Sequence, residues 1–193
     1  MQKQSLTKGF AVMSAAGIIT KIMSFLYIPF LMAIIGDEGT GVYGAIYQVY
    51  VFIYVIANSG IPVAISKSIS ELTALENHKD ALRTFKIARS YLILLGLALT
   101  LLMLFTAGSM ASLLKNEKAA LGIAVLSPTL LITAIVSSYR GYFQGRGNMT
   151  PTAVSQVIEQ IINIIFTLFF AYLFRKSIEW SCAGATIGTS LGA

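Results

Sequence analysis

The chain has 193 residues, of which 56% are hydrophobic and only 11% charged, with a net charge of +6 and a mean hydropathy of +0.76. A soluble domain carries about 25% charged residues, so this composition excludes an ordinary soluble enzyme and a disordered chain. The basic residues lie in short loops between apolar runs, which makes them topology signals rather than a nucleic-acid surface.

The first apolar run, about 9–35, is long enough to cross a bilayer. It is too long for a signal-peptide core and lacks a small-residue cleavage site, so it is expected to be a retained helix. Lys21 sits alone within it. A cation at mid-membrane costs on the order of 3 kcal/mol on insertion scales and is kept facing protein or a wet cavity. Ser14, Gly17, Thr20, Lys21, Ser24 and Tyr27 share an arc of about 140° at helical spacing. A snorkelling lysine is the alternative, but Lys21 lies several turns from the start. Pro29 is expected to kink the outer half.

The second span is expected over 42–66, ended by Pro62. Tyr43, Tyr47, Tyr50 and Tyr54 run along it at helical spacing and Asn58 continues the line. The stripe suits either stacking on sugar rings or ordinary core packing. Before it, Gly39 to Gly44 matches G-x-G-x-x-G, but a dinucleotide site needs a preceding strand. Here the segment joins two spans and is expected to be a flexible tight turn.

A third span is expected over 90–114, preceded by a short amphipathic surface helix within Glu71–Arg89. A fourth follows over 119–139 and a fifth over 151–174. A sixth, over 182–193, stops while still apolar, so the chain reads as a piece of a longer protein.

In the fifth span Thr150 is a candidate N-cap and Pro151 fits the first helical position. Thr152, Ser155, Gln156, Glu159, Gln160, Asn163 and Thr167 fall within one arc of about 140°. Interhelical hydrogen bonding would explain part of this stripe. A membrane carboxylate favours the wall of a hydrated pathway. Counted in helical rises, Lys21 and Glu159 differ in depth by about 5 Å, so they could meet.

Lys3, Lys8, Lys67, Lys79, Arg83, Lys86, Arg89, Arg140 and Arg146 fall on one side of these spans. The positive-inside rule makes that side, and the N-terminus, cytoplasmic. Asp37, Glu38, Lys115, Glu117, Lys118, Arg175, Lys176 and Glu179 fall on the other. Cys182 is the sole cysteine, so neither an intrachain disulfide nor a cysteine metal cluster can form. His78 reads as a solvated loop residue. The formal sequon at Asn148 lies on the cytoplasmic side and is read as chance. No nucleophile–base pair or metal-ligand spacing is evident, so neither catalysis nor a cofactor is expected.

Leu6 to Gly9, Ala15 to Ile22, Gly36 to Tyr43 and Gly60 to Lys67 resemble successive landmarks of the polysaccharide-biosynthesis and stage V sporulation protein B family. The most specific likeness is Arg140-Gly-Tyr-Phe-Gln-Gly145 followed by Pro151-Thr-Ala-Val-Ser-Gln-Val-Ile-Glu-Gln160. This family sits in the multidrug/oligosaccharidyl-lipid/polysaccharide flippase superfamily, with the lipid II flippases. The resemblance implies an all-α membrane bundle forming one lobe of a two-lobed transporter that works by alternating access. Its partners would be a lipid-linked oligosaccharide or lipid II-like substrate, membrane lipids and a C-terminal lobe, with no nucleic acid. The basic residue of the family's first helix matches Lys21, which the resemblance places in a central cavity against a pyrophosphate. Tyr27 stands where Gram-negative lipid II flippases carry an arginine.

The expected substrate-binding residues are thus Lys21, Tyr47, Tyr54, Asn58, Gln156, Glu159 and Asn163. The expected function is flipping of a lipid-linked saccharide or peptidoglycan precursor across the cell membrane. The alternatives are a cation-coupled multidrug exporter and a non-transporting envelope or sporulation assembly factor.

Overall fold

The computed structural model describes residues 5–58 and 60–193; the side chains of 6 and 56–58 are left aside. Lys3 and the Asn58 side chain, both used in the sequence reading, therefore lie outside what is described. Seven helices make up the described residues: α1 (Leu6–Asn58), α2 (Ile61–Ala74), α3 (His78–Leu113), α4 (Ala119–Leu126), α5 (Pro128–Gly145), α6 (Thr150–Leu173) and α7 (Ile178–Gly192).

Helix α1 is two arms joined at one residue. Gly36 has φ 72° and ψ −179°, a conformation open to glycine because it lacks Cβ. The arms fold back on each other, so that Tyr27 and Tyr43 pack against one cluster of Leu31, Ile35, Ala171 and Ala185. Gly39 makes the return possible, since a Cβ there would lie 2.8 Å from Ile35 Cβ. The flexible turn expected over Gly39–Gly44 is thus corrected: those residues are helical, and the reversal is confined to Gly36. Pro29 leaves the local dihedrals helical, and the one non-helical residue within α1 is Gly36.

The second arm ends at Asn58, and Gly60 (φ 81°) starts a new direction into α2. Pro62 does not break a helix. It sits in the first turn of α2, where no amide partner is lost. The surface helix expected within Glu71–Arg89 is also replaced. The chain turns at Glu76 (φ 56°), and Asn77 caps α3 by accepting from the Asp80 amide at 3.3 Å. Residues 78–89 are then the first turns of α3. At 1.5 Å per residue the 36 residues of α3 extend about 54 Å, longer than a hydrocarbon core of about 30 Å.

Helices α4 and α5 are nearly continuous through Ser127. Pro128 has no amide to give to the Ala124 carbonyl. The Ser127 amide (3.3 Å) and hydroxyl (2.8 Å) donate to that oxygen instead. Thr100 of α3 donates to the Ser127 carbonyl at 3.1 Å. Thr150, expected as a cap, is the first residue of α6; its amide donates to Asn148 Oδ1 at 3.3 Å.

Among the described residues, four helical stretches are long and apolar enough to cross a membrane: Thr7–Val55, His78–Leu113, Ala119–Gly145 and Thr150–Leu173. Phe25, Phe105 and Leu113 stand more than three-quarters exposed, as expected of a surface facing lipid or further protein. The protein is an all-α, multi-pass membrane protein.

Candidate functional site

Glycines set the spacing around the site. On α5, a Cβ at Gly141 would lie 3.0 Å from the Pro62 carbonyl, and one at Gly145 2.6 Å from that of Ser66. Helix α2 therefore packs directly on this face, with Ile65 and Ile69 buried. Arg140 points elsewhere. Its Nη2 donates to Glu159 Oε2 at 2.5 Å and its Nε to Ser155 Oγ at 3.3 Å. Ser155 and Glu159 are one turn apart on α6, so one guanidinium clamps two successive turns of the stripe.

Lys21 and Thr20 of α1 face this clamp across a polar cleft of about 330 Å³, floored by Gly17 and walled on α6 by Gln156 and Gln160. That is at the lower end of ligand-pocket volumes. Lys21 is exposed, and among the described residues the ion pairs are Arg140–Glu159 and Lys118–Glu38. The cleft thus holds two cations and one carboxylate, and the carboxylate belongs to Arg140. The neighbouring α1–α6 groove, lined by Val12, Ala16, Ile19 and Val157, is apolar.

The remaining expected site residues lie elsewhere. Tyr47 hydrogen-bonds Thr189 of α7 in a short contact. Thr189 in turn donates to Asn163 Oδ1 at 3.3 Å. The buried Thr167 hydroxyl lies within reach of Asn163 Oδ1 (2.8 Å) and the Ala185 carbonyl (3.0 Å). This network joins α1, α6 and α7. Helix α7 approaches so closely that a Cβ at Gly188 would overlap the Thr167 backbone, and one at Gly192 would lie 2.8 Å from the Glu159 carbonyl. Tyr54 stacks on Tyr50 at 5.7 Å between centroids, and Tyr43 lies 4.7 Å from Tyr47. The tyrosine rings thus pack largely on one another.

Lys21, Gln156 and Glu159 are therefore brought together, whereas Tyr47 and Asn163 form a separate helix-joining network. Arg140 was missed as a site residue, because the apolar run of α5 ends at Tyr139 and the arginine reads as a loop charge. The signal was the Gly141/Gly145 pair one turn apart, which marks a helix packed on another helix and carries Arg140 inside it.

The model of the polysaccharide biosynthesis protein family matches residues 6–193. The chain is 34% identical to stage V sporulation protein B of Bacillus subtilis (strain 168) over all of its own length and 38% of that protein. It is 33% identical to the uncharacterized membrane protein YabM of the same organism, over 96% of this chain and 34% of that one. It is 29% identical to that organism's lipid II flippase MurJ, over 89% of this chain and 33% of the other. Among solved structures, a MOP superfamily transporter from Pyrococcus furiosus superposes with a TM-score of 0.76 at 20% identity, covering 98% of this chain and 43% of that one. The chain spans little more than a third of the length of the curated relatives it matches. It belongs to the polysaccharide biosynthesis protein family, and its fold is that of one lobe of a MOP superfamily transporter.

Proposed function

We propose that the chain is a membrane lobe of a flippase that carries a lipid-linked saccharide or peptidoglycan precursor across the cytoplasmic membrane by alternating access. The observation that carries this reading is Lys21: a cation in a membrane-crossing helix, facing a polar cleft whose one carboxylate is held by Arg140. A membrane protein retains such a charge when it has something to bind, and the complement of a cation beside amides is an anionic, hydrogen-bonding head group. Gln156 and Gln160 supply donors and acceptors for hydroxyl or acylamino groups. A second lobe would close the open side of the cleft. The N-terminus and the α2–α3 turn lie on the cytoplasmic side in this reading, because the basic residues gather there.

Cation-coupled drug export is the competing reading. The net positive cleft opposes it, since a cationic drug would meet Lys21 with Glu159 already engaged.

Proteoliposomes holding the complete protein that contains this lobe test the choice. Movement of a labelled lipid-linked saccharide and none of a cationic dye is expected. Transport of the dye alone would sink the flippase reading. In a Cys182→Ser background, a cysteine at position 117 should react with an impermeant thiol reagent from outside and one at position 79 should not; the reverse would invert the topology.

A further inference from the structure

The cleft contains an arrangement that the flippase reading does not by itself require. Three charged side chains converge from three helices: Lys21 from α1, Arg140 from α5 and Glu159 from α6. A lone carboxylate in such a cleft would neutralise whichever cation it could reach. Here it is spoken for. The guanidinium bonds Glu159 at 2.5 Å and Ser155 at 3.3 Å, and its side chain is only 20% exposed. A planar fork held at two successive turns of α6 is well suited to fixing a carboxylate's direction. Lys21 is left exposed, with neither of the two ion pairs involving it.

We infer that Arg140 is a positioning residue: it sequesters the Glu159 carboxylate so that Lys21 remains an uncompensated cation for the anionic head group. The inference rests on the proposed function for its ligand and on the cleft geometry for its electrostatics. Arg140 sets the affinity of a lysine on another helix by controlling that lysine's competitor. Removing Arg140 alone releases Glu159 toward Lys21 and cancels the cleft's charge. Removing both restores a free lysine, even though two polar groups have gone.

The test uses the complete protein that contains this lobe, in nanodiscs of zwitterionic lipid, with a fluorescent polyprenyl diphosphate as probe and the matching polyprenol as control. Arg140→Gln should weaken diphosphate binding at least about tenfold, the scale of a unit charge met a few ångströms away in a partly wet site. The double variant Arg140→Gln with Glu159→Gln should return to near the parent affinity. Glu159→Gln alone should bind at least as well as the parent. A double variant as weak as Arg140→Gln would overturn the inference, because Arg140 would then touch the anion or merely brace α5 on α6. A fall in affinity for Glu159→Gln would overturn it independently, whether or not Arg140→Gln folds.

A ligand-free readout separates this inference from the flippase reading. A thermal double-mutant cycle on Lys21 and Glu159 should show no coupling in the parent and clear coupling in the Arg140→Gln background. Coupling already present in the parent would overturn the inference. A parent that shows the expected cycle but no preference for diphosphate over polyprenol leaves the sequestration standing and removes the proposed substrate class.

Discussion

The stripe on α6 faces an open cleft at Gln156, Glu159 and Gln160 and a neighbouring helix at Asn163 and Thr167. The first part meets Lys21 and Arg140 across free space. The second is spent on Thr189, Ala185 and, through Thr189, Tyr47. Both parts carry similar amide and hydroxyl chemistry at the same helical angle. What divides them is the opposing surface: a glycine ridge on α7 removes all free space in one case, and α1 stands off in the other. Polarity on a membrane helix therefore says that partners exist, and the facing helix decides whether they are protein or ligand.

Glycine substitution should break this contrast most severely. Gly188→Ala places a Cβ into the Thr167 backbone, which cannot move without shifting α6 against α7. Overpacking of this kind is expected to cost about 3 kcal/mol or more, read as a large fall in melting temperature or loss of monodisperse protein in detergent. Gly17→Ala, on the cleft, meets nothing within 4 Å and should be neutral or gain up to about 1 kcal/mol from helix propensity. Equal losses at both positions would mean that the cleft is packed in solution.

Lys21 should give the largest functional effect with the least structural one. Lys21→Ala is expected to lower affinity for a polyprenyl diphosphate at least about tenfold while moving stability by no more than about 0.5 kcal/mol, as for other exposed positions. Lys21→Arg should keep part of the affinity, since charge matters more than shape at a single anion contact. Parent-like binding by Lys21→Ala would take the ligand out of this cleft.

The opposite pattern is expected in the network. Thr167→Val removes a buried hydroxyl and Tyr47→Phe a half-buried one from a chain of hydrogen bonds. Each should cost about 1–2 kcal/mol of stability and leave diphosphate affinity unchanged. If Tyr47→Phe instead abolished binding at parent stability, the tyrosine would be a ligand contact and the division of α6 would fail.

The all-α membrane fold was legible in the sequence because long apolar runs with rare charges have one physical solution in a bilayer. The joints were less legible. The polar run from Asp37 to Gly44 reads as a turn, whereas Gly36 alone reverses the chain and that run is helical, and Gly60 rather than Pro62 marks the start of α2. Polar arcs put Lys21 and Glu159 each toward a wet interior, and their depths allowed them to meet. Depth does not report which way a third helix turns, and that is why Arg140 rather than Lys21 proved to be the carboxylate's partner. Tyr47 and Asn163 looked like further cleft residues because the glycine spacing on α7, Gly184-x-x-x-Gly188-x-x-x-Gly192, was not read as the surface that would cover them.

The two ion pairs give the smallest and finest test of the comparison. Arg140–Glu159 and Lys118–Glu38 have the same length, 2.5 Å, but the first leaves 20% and 33% of its side chains exposed and the second 46% and 61%. The hydrogen bond that Lys118 donates to Glu38, with the charge of that carboxylate, holds its ammonium above the ordinary lysine value of 10.5. A cation whose pKa is raised on folding contributes stability that is fully present below its ordinary value and fades as pH rises through the raised one. The lysine's side of the pair is therefore constant across neutral pH, and strongly alkaline conditions or salt will expose it. Exposed charges are screened over about 8 Å at physiological ionic strength, so any loss of melting temperature in Lys118→Gln should vanish when salt is raised. The loss in Arg140→Gln should persist, because the partners that replace water there are fixed on α6 and do not exchange for counterions. Identical salt dependence in the two variants would mean that the cleft is as wet as the outer surface, and Arg140 could then no longer keep Glu159 from Lys21.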